Sequence, residues 1–479
     1  MVQLDQANDH NSGEHRPDDH HSDDPAWDPA WDLGSDFIPK ERYTTRAFTE
    51  LEYARLWPRT WQVACREEEL AAPGDFVEYR IADQSILVVR AATDEIRAFY
   101  NSCRHRGTRL ATGCGALADG QITCPFHGWR WNFDGSCSFV LDPEEFGLTS
   151  LDTPALRLGE LRCERKWGFV WICADPDARS LDEHLSPLQQ YFDAYHLEDM
   201  RFLWYRTTVL PANWKAALDA FHEGYHNYGT HPQLLQWSDD TAMHYEQFRN
   251  GHARYVTVRG AGPSKRFGLS PGEWDDRELL YQQVMHLGRS FEGGLYSEAD
   301  MEAAEQLRTM DIPEGSSAAL EFSRLVAEHA QEVGIRFPEL TPEQRAEGTG
   351  VFSVFPNLVM LVSLANCFMY RARPNGDDPD SCVFDTWALR LFPPSVDPPM
   401  LVRETAASDD TEVWGTIPSQ DFTNMPNVQT GLHSWGCRGL RLSRRQEMNL
   451  LNMQCELDRY VKRSSTTTEP TTAAERNAP

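Results

Sequence analysis

The chain has 479 residues, 41% hydrophobic and 25% charged, enough to bury a large core and to divide into two or three domains. Its 45 Lys and Arg against 73 Asp and Glu leave a net charge of −28, which repels phosphate backbones and anionic lipid and argues against a nucleic-acid partner. No apolar run approaches the roughly 20 residues that cross a bilayer, and no basic start leads into an apolar core, so a cytoplasmic protein with no membrane partner is expected.

Residues 1–36 are acidic, His-rich and poor in aliphatics, and read as a disordered tail in which the repeated "PAWD" could dock on a surface. From 37 to 176, after a helical lead-in over 37–59, short runs such as "GDFVEYRI", "QSILVVRA" and "WGFVWICADP" alternate with Gly and Asp breaks, the pattern of a small all-β domain. From 177 to 463 the pattern is α+β: "RFLWYRTTVL" reads as a strand and "NWKAALDAFHEGYHNYG" as a helix. "GVFSVFPNLVMLVSLANCFMYRARP" and "SCVFDTWALRLFPP" read as strands, and "SRRQEMNLLNMQCELDRYVKR" as a helix. An acidic helical insertion occupies about 260–345, and 464–479 is a second polar tail.

Eleven cysteines are too few for a disulfide scaffold, so the useful ones are those with histidine neighbours at ligand spacing. Cys103-x-His105 and Cys124-x-x-His127 are separated by eighteen residues, with Gly107, Pro125 and Gly128 able to bend the loops around a metal. Two Cys and two His could hold zinc. Their order suits better a 2Fe-2S centre in which two Cys hold one iron and two His the other. Cys114 and Cys137 fit neither pair, and Cys114 reads as a small core residue.

Downstream, "FHEGYHNYGTH" gathers Glu223, His226 and His231. On a continuous helix two histidines five apart face different ways, so convergence requires the helix to end between them, with Gly229 and Pro232 as the ending. A non-haem iron that binds oxygen wants two His and one carboxylate. Asp421 in "SQDFTNMPNVQ" is the candidate, with Glu404, Asp409 and Asp410 nearby in sequence, and either histidine could instead be an ordinary core residue. His222 reads as a bystander.

Together these stretches resemble the catalytic alpha subunit of Rieske non-haem iron aromatic-ring-hydroxylating oxygenases: "CRHRG" and "CPFHGW", then "NWK", Glu223, "YH", a second His, and a late Asp followed eight residues on by Gln429. The resemblance implies a small all-β Rieske domain plus an α+β catalytic domain of helix-grip type, with a curved antiparallel sheet covered by helices. It implies a Rieske 2Fe-2S cluster on Cys103, His105, Cys124 and His127, and a mononuclear Fe(II) on His226, His231 and Asp421. Glu223 would bridge toward the cluster of a neighbouring subunit in a homotrimeric ring, with or without a beta subunit. Oxygen and an apolar, aromatic or polycyclic small molecule are the implied substrates, for di- or mono-oxygenation. Oxidative O- or N-demethylation, or electron transfer beside an inactive iron site, are the alternatives. A separate reductase or ferredoxin is implied, since the chain shows no GxGxxG fingerprint. Phe352, Phe355, Leu358, Met360 and Leu361 are candidate pocket residues. Three departures stand out: the family usually has an Asn next to the acid of this helix, where the chain has Asp219-Ala220; Glu223 stands where many dioxygenases have Asp; and His231 and Asp421 are 190 residues apart, longer than usual, because of the insertion.

Overall fold

The computed structural model describes residues 27–462, apart from 259–261, 271, 342–343 and 345–346. Two large sheets organise them. The first is seven-stranded and antiparallel, in the order Gln62–Arg66, Phe169–Cys173, Glu160–Lys166, Glu95–Tyr100, Gln84–Ala92, Asp75–Ile81, Cys114–Ala116. Its Gln84–Ala92 strand is buried on both faces through the middle, and the two-residue pleat sorts the side chains. Ile86 and Val88 join the largest core, whereas Leu87 and Val89 point with Phe99 into a smaller core that contains Cys103 and Cys124. A three-stranded sheet (Ile122–Thr123, Arg130–Trp131, Cys137–Phe139) closes that smaller core.

The second sheet has eight strands, in the order His244–Gln247, Ala253–Val258, Glu347–Val354, Leu358–Val362, Asn366–Asn375, Asp378–Arg390, Arg201–Leu210, Arg403–Thr405. All pairs are antiparallel except the last, which is parallel. Register places Val351 opposite Leu361 and Phe352 opposite Met360, so these pairs face opposite sides. The Val351 side faces the helices that carry the site. The Phe352 side packs on Trp171, Phe192 and Trp387.

Among the described residues, the segment between the sheet's second and third strands holds three α-helices: Asp276–Ser290, Glu298–Thr309 and Ala318–Glu332. Asp275, Ser297 and Ser317 cap their first turns through side-chain oxygens. Leu280, Val284, Leu307 and Phe322 bury their apolar stripes in the main core, so the segment is an integral layer.

Three expectations change. Residues 1–26 lie outside the described residues, but 27–36 are ordered, not a tail: Trp27 and Trp31 are buried and stack edge-on with each other and with Phe48, at 5.3–6.4 Å between ring centroids. Two large aromatics supply the burial that missing aliphatics could not. The 464–479 tail also lies outside the described residues. Cys114, expected in the core, is exposed on the edge strand. The helix expected to run on past Glu223 stops at Asp219. No helix among the described residues is long and apolar enough to cross a membrane.

Candidate functional site

The two Cys/His loops share one backbone frame. In the first, Cys103 N–H donates to Thr108 O (2.9 Å) and Gly107 N–H to Cys103 O (2.9 Å). In the second, Cys124 N–H donates to Trp129 O (2.8 Å) and Gly128 N–H to Cys124 O (3.1 Å). Gly107 (φ 76°) and Gly128 (φ 71°) sit in the left-handed region that this turn needs and that a Cβ would strain. The loops bring both sulfurs into the small core and set the imidazoles of His105 and His127 together, ring centroids 4.8 Å apart. Burial pushes the Cys103 thiol up, while the N–H groups of His105 and Arg106 reach its sulfur and oppose that push. His105 lies flat on Trp129 (5.0 Å, 9°), and its buried Nδ1 has no hydrogen-bond partner. An orphaned buried imidazole nitrogen beside two buried thiols is what a thiolate- and imidazole-bound cluster would satisfy.

The second cluster depends on a broken helix. Trp214–Asp219 starts at Asn213, whose side chain caps the Lys215 N–H (3.1 Å), and is pinned by a fully buried ion pair between Lys215 and Glu52 (2.6 Å). The chain then turns before a four-residue helix, Asn227–Thr230, that His226 opens and His231 closes. Gly229 lies inside that short helix, so the ending expected there comes instead from His231 itself (φ −124°, ψ 54°) and Pro232. The break lets His226 and His231 converge, ring centroids 5.2 Å apart.

Asp421 arrives from the far end of the chain on the Thr416–Leu432 helix. Its Oδ1 is 2.9 Å from His231 Nε2 and 3.8 Å from His226 Nε2, and the three residues present ligand atoms all within 4.8 Å of one another. Each imidazole is held by its other nitrogen. His226 Nδ1 is 2.8 Å from Glu223, which also accepts the His226 backbone N–H (3.0 Å), and His231 Nδ1 is 2.7 Å from Gln420. Such outer bonds leave both Nε2 atoms free to ligate. Burial works against a charge on His226, yet Glu223 and Asp421 outweigh it and raise the group to about 9. The spot attracts positive charge, and the three residues could hold a metal ion.

Glu404, Asp409 and Asp410 are not part of the triplet. His222 is buried with burial pulling it down to about 4, and its Nδ1 lies 3.9 Å from Asp219 Oδ1. Asp219 accepts from Tyr43 Oη (2.8 Å) rather than facing the triplet. Gln429 accepts the Asn213 N–H (3.0 Å), tying the Asp421 helix to the start of the histidine segment. Sequence reading missed Gln420, whose only signal was its place beside Asp421.

A cavity of about 110 Å³ opens on His226, His231 and Asp421. Phe221, Trp237, Tyr255, Phe291 and Tyr370 form its aromatic walls, and Val351, Leu361 and Ile417 complete them. Of the strand residues expected here only Leu361 is present. Phe352, Leu358 and Met360 belong to the opposite face, and Phe355 packs elsewhere in the main core. The inserted Asp276–Ser290 helix contributes Gln283 and Leu287. Larger cavities of about 660 Å³ lie on the inserted helices, away from the triplet.

Comparison with known proteins agrees with this architecture. The family model "Ring hydroxylating alpha subunit (catalytic domain)" matches residues 191–463, and "Rieske [2Fe-2S] domain" matches 60–151. The carnitine monooxygenase oxygenase subunit of Escherichia coli (strain K12) is 34% identical over 197 residues, 41% of this chain and 52% of its own. The glycine betaine monooxygenase oxygenase subunit of Pseudomonas aeruginosa is 29% identical over 209 residues, 43% of this chain and 48% of its own. The chain thus spans about half the length of the curated relatives it matches. Among solved structures, a quaternary ammonium Rieske monooxygenase in complex with L-carnitine aligns with TM-score 0.60 at 18% identity, covering 89% of this chain and 96% of its own. Naphthalene 1,2-dioxygenase from Rhodococcus sp. bound to indole aligns with TM-score 0.61 at 18% identity, covering 90% and 95%. These likenesses carry the fold.

Proposed function

Because the chain belongs to the ring-hydroxylating alpha-subunit family, with its Rieske 2Fe-2S cluster and mononuclear iron, we propose that it is the oxygenase component of a monooxygenase for compact methylated ammonium compounds. In this reading Cys103 and Cys124 hold one cluster iron, His105 and His127 the other, and His226, His231 and Asp421 the mononuclear iron. When bound, the cluster supplies electrons one at a time and the mononuclear iron activates O2.

The observation that carries the substrate class is the cavity. Five aromatic side chains line it, the kind of wall against which a cation is held, and its described lining carries no lysine or arginine to repel one. About 110 Å³ is well below the roughly 300–1,000 Å³ of drug-sized sites, which favours a compact headgroup over a polycycle. The names of the carnitine and glycine betaine relatives point the same way.

Within the chain, Glu223 and Gln420 fix the two imidazoles, and the aromatic walls exclude water and orient the N-methyl or N-methylene carbon toward the triplet. One oxygen atom enters a C–H bond, and the other leaves as water with two electrons and two protons. The resulting N–C–OH carbon releases an aldehyde and a tertiary amine. Glu223 also carries the connection to a neighbour's cluster in a homotrimeric ring, and a separate reductase or ferredoxin supplies the electrons. A monocyclic aromatic substrate is the second reading, favoured by the same apolar walls.

Turnover with a generic reductase separates the two. Choline-type and betaine-type cations should give aldehyde and tertiary amine with one oxygen incorporated. A ring diol from benzene or toluene, with the cations untouched, would replace the ammonium reading by the aromatic one.

A further inference from the structure

The cavity is not uniformly apolar, and the exceptions come from two separate parts of the chain. Gln283 projects from the inserted Asp276–Ser290 helix, and Trp237 ends the 3-10 turn that follows His231. Both line the cavity, both are more than nine-tenths buried, and each keeps a polar atom with no hydrogen-bond partner: Gln283 Oε1 and Trp237 Nε1. One turn along the same helix, His286 lies with its ring centroid 5.0 Å from Trp237, and its buried Nε2 is also unpartnered. Buried polar atoms are paired in nearly all folded proteins, so two orphans on the wall of one cavity point to a group that arrives with the ligand.

The chemistry of the orphans narrows that group. The indole N–H only donates, and the amide oxygen only accepts. A partner for both must accept and donate at once, as a hydroxyl does. A carboxylate would satisfy the indole but would lie against the amide oxygen, and the described lining offers no lysine or arginine to neutralise it.

We infer that Trp237 and Gln283 form a hydroxyl-recognising subsite, so that the preferred substrate carries a neutral hydroxyl away from the carbon that is oxidised. The inference deepens the proposed function and rests on its placing of the substrate in this cavity. It gives the inserted helices a role in specificity: they bring an amide to a site whose metal ligands come from other elements.

The test is equilibrium binding to the iron-loaded protein, by calorimetry without reductant. Two pairs of probes differ by a hydroxyl: 2-hydroxyethyl-trimethylammonium against ethyltrimethylammonium, and benzyl alcohol against toluene. The hydroxylated cation should bind at least about tenfold more tightly than its partner, the ratio expected when a buried polar site loses its match. Trp237→Phe, which keeps an aromatic ring but removes the indole N–H, and Gln283→Leu should each bring the ratio toward one. Gln282→Leu, on the exposed side of the same helix, should leave it intact. Equal affinity within both pairs, an unchanged ratio in both cavity variants, or tighter binding of carboxymethyl-trimethylammonium than of the hydroxyl probe would overturn the inference. A hydroxyl preference seen only in the neutral pair would keep the subsite and remove the ammonium reading.

Discussion

Asp219→Asn should remove a pH dependence that one buried carboxyl imposes on the fold. Burial drives the Asp219 carboxyl upward; the Tyr43 hydrogen bond and Lys215 pull it back, Glu223 and Glu447 push it on, and it settles at about 7 against an ordinary 3.8. A carboxyl raised in the folded state contributes its stability below its unfolded value and loses it as pH climbs through the folded one. The loss is on the order of 2 kcal/mol at pH 5 and about 4 kcal/mol at pH 8. An asparagine in that place would still accept from Tyr43 and has no proton to lose. Relative to the parent protein, the variant should therefore gain roughly 2–3 kcal/mol of stability between pH 5 and pH 8. Urea unfolding of both iron-loaded proteins, followed by tryptophan fluorescence at pH 5, 6, 7 and 8, reads this difference directly. A gap between the two proteins that stays constant within about 0.5 kcal/mol over that range would refute the reasoning, because burial would then not be opposing the ionisation of Asp219.

The metal assignments give further outcomes. His226→Ala should lower iron from about three to about two atoms per chain while leaving the visible spectrum of the cluster unchanged, measured by metal analysis and absorbance. Cys103→Ser should do the reverse, bleaching the spectrum while the mononuclear site still binds iron. Glu223→Gln should keep both metals but slow single-turnover reoxidation of the reduced cluster by at least about tenfold, since an outer-shell partner of a metal histidine typically carries effects of that size; reoxidation at the parental rate would remove its bridging role. Lys215→Met strands Glu52 in the core and should cost about 3–5 kcal/mol, and adding Glu52→Leu should recover most of it, read by denaturation of the single and double variants.

Local spacing made the cluster loops readable: each Cys/His pair lies within four residues on one turn, and its glycines announce the bend. The proposed iron site was only half local. His226 and His231 share a short stretch, whereas Asp421 lies 190 residues past His231 and was reached through the family pattern rather than through periodicity. Gln420, Gln283 and Trp237 are brought in by tertiary packing and have no signature in the chain. The pocket strands misled for a definable reason. Both faces of the eight-stranded sheet are buried, so a run such as "FSVFPNLVML" carries large apolar residues at both parities and cannot say which of them face the His226, His231 and Asp421 triplet. The "PAWD" repeat misled in the opposite sense, because a shortage of aliphatic residues says nothing of two tryptophans that each bury a whole ring.

Those tryptophans also join the two ends of the described chain. Lys462 lies over the Trp27 ring (4.6 Å) and pairs with Asp32 (3.3 Å), Phe37–Pro39 pairs with Gly439–Arg441, and Arg42 binds Asp458 (2.6 Å) and Gln454 (2.7 Å). Gln454 in turn donates to Tyr43 Oη (3.1 Å), the hydroxyl that donates to Asp219 four residues before Glu223. The fold is therefore fastened like a buckled strap, with the buckle one hydrogen bond from the turn that presents the histidines. Cutting the strap at Trp27–Asp36 should therefore disturb the turn that presents His226 and His231 before it disturbs the two Cys/His loops.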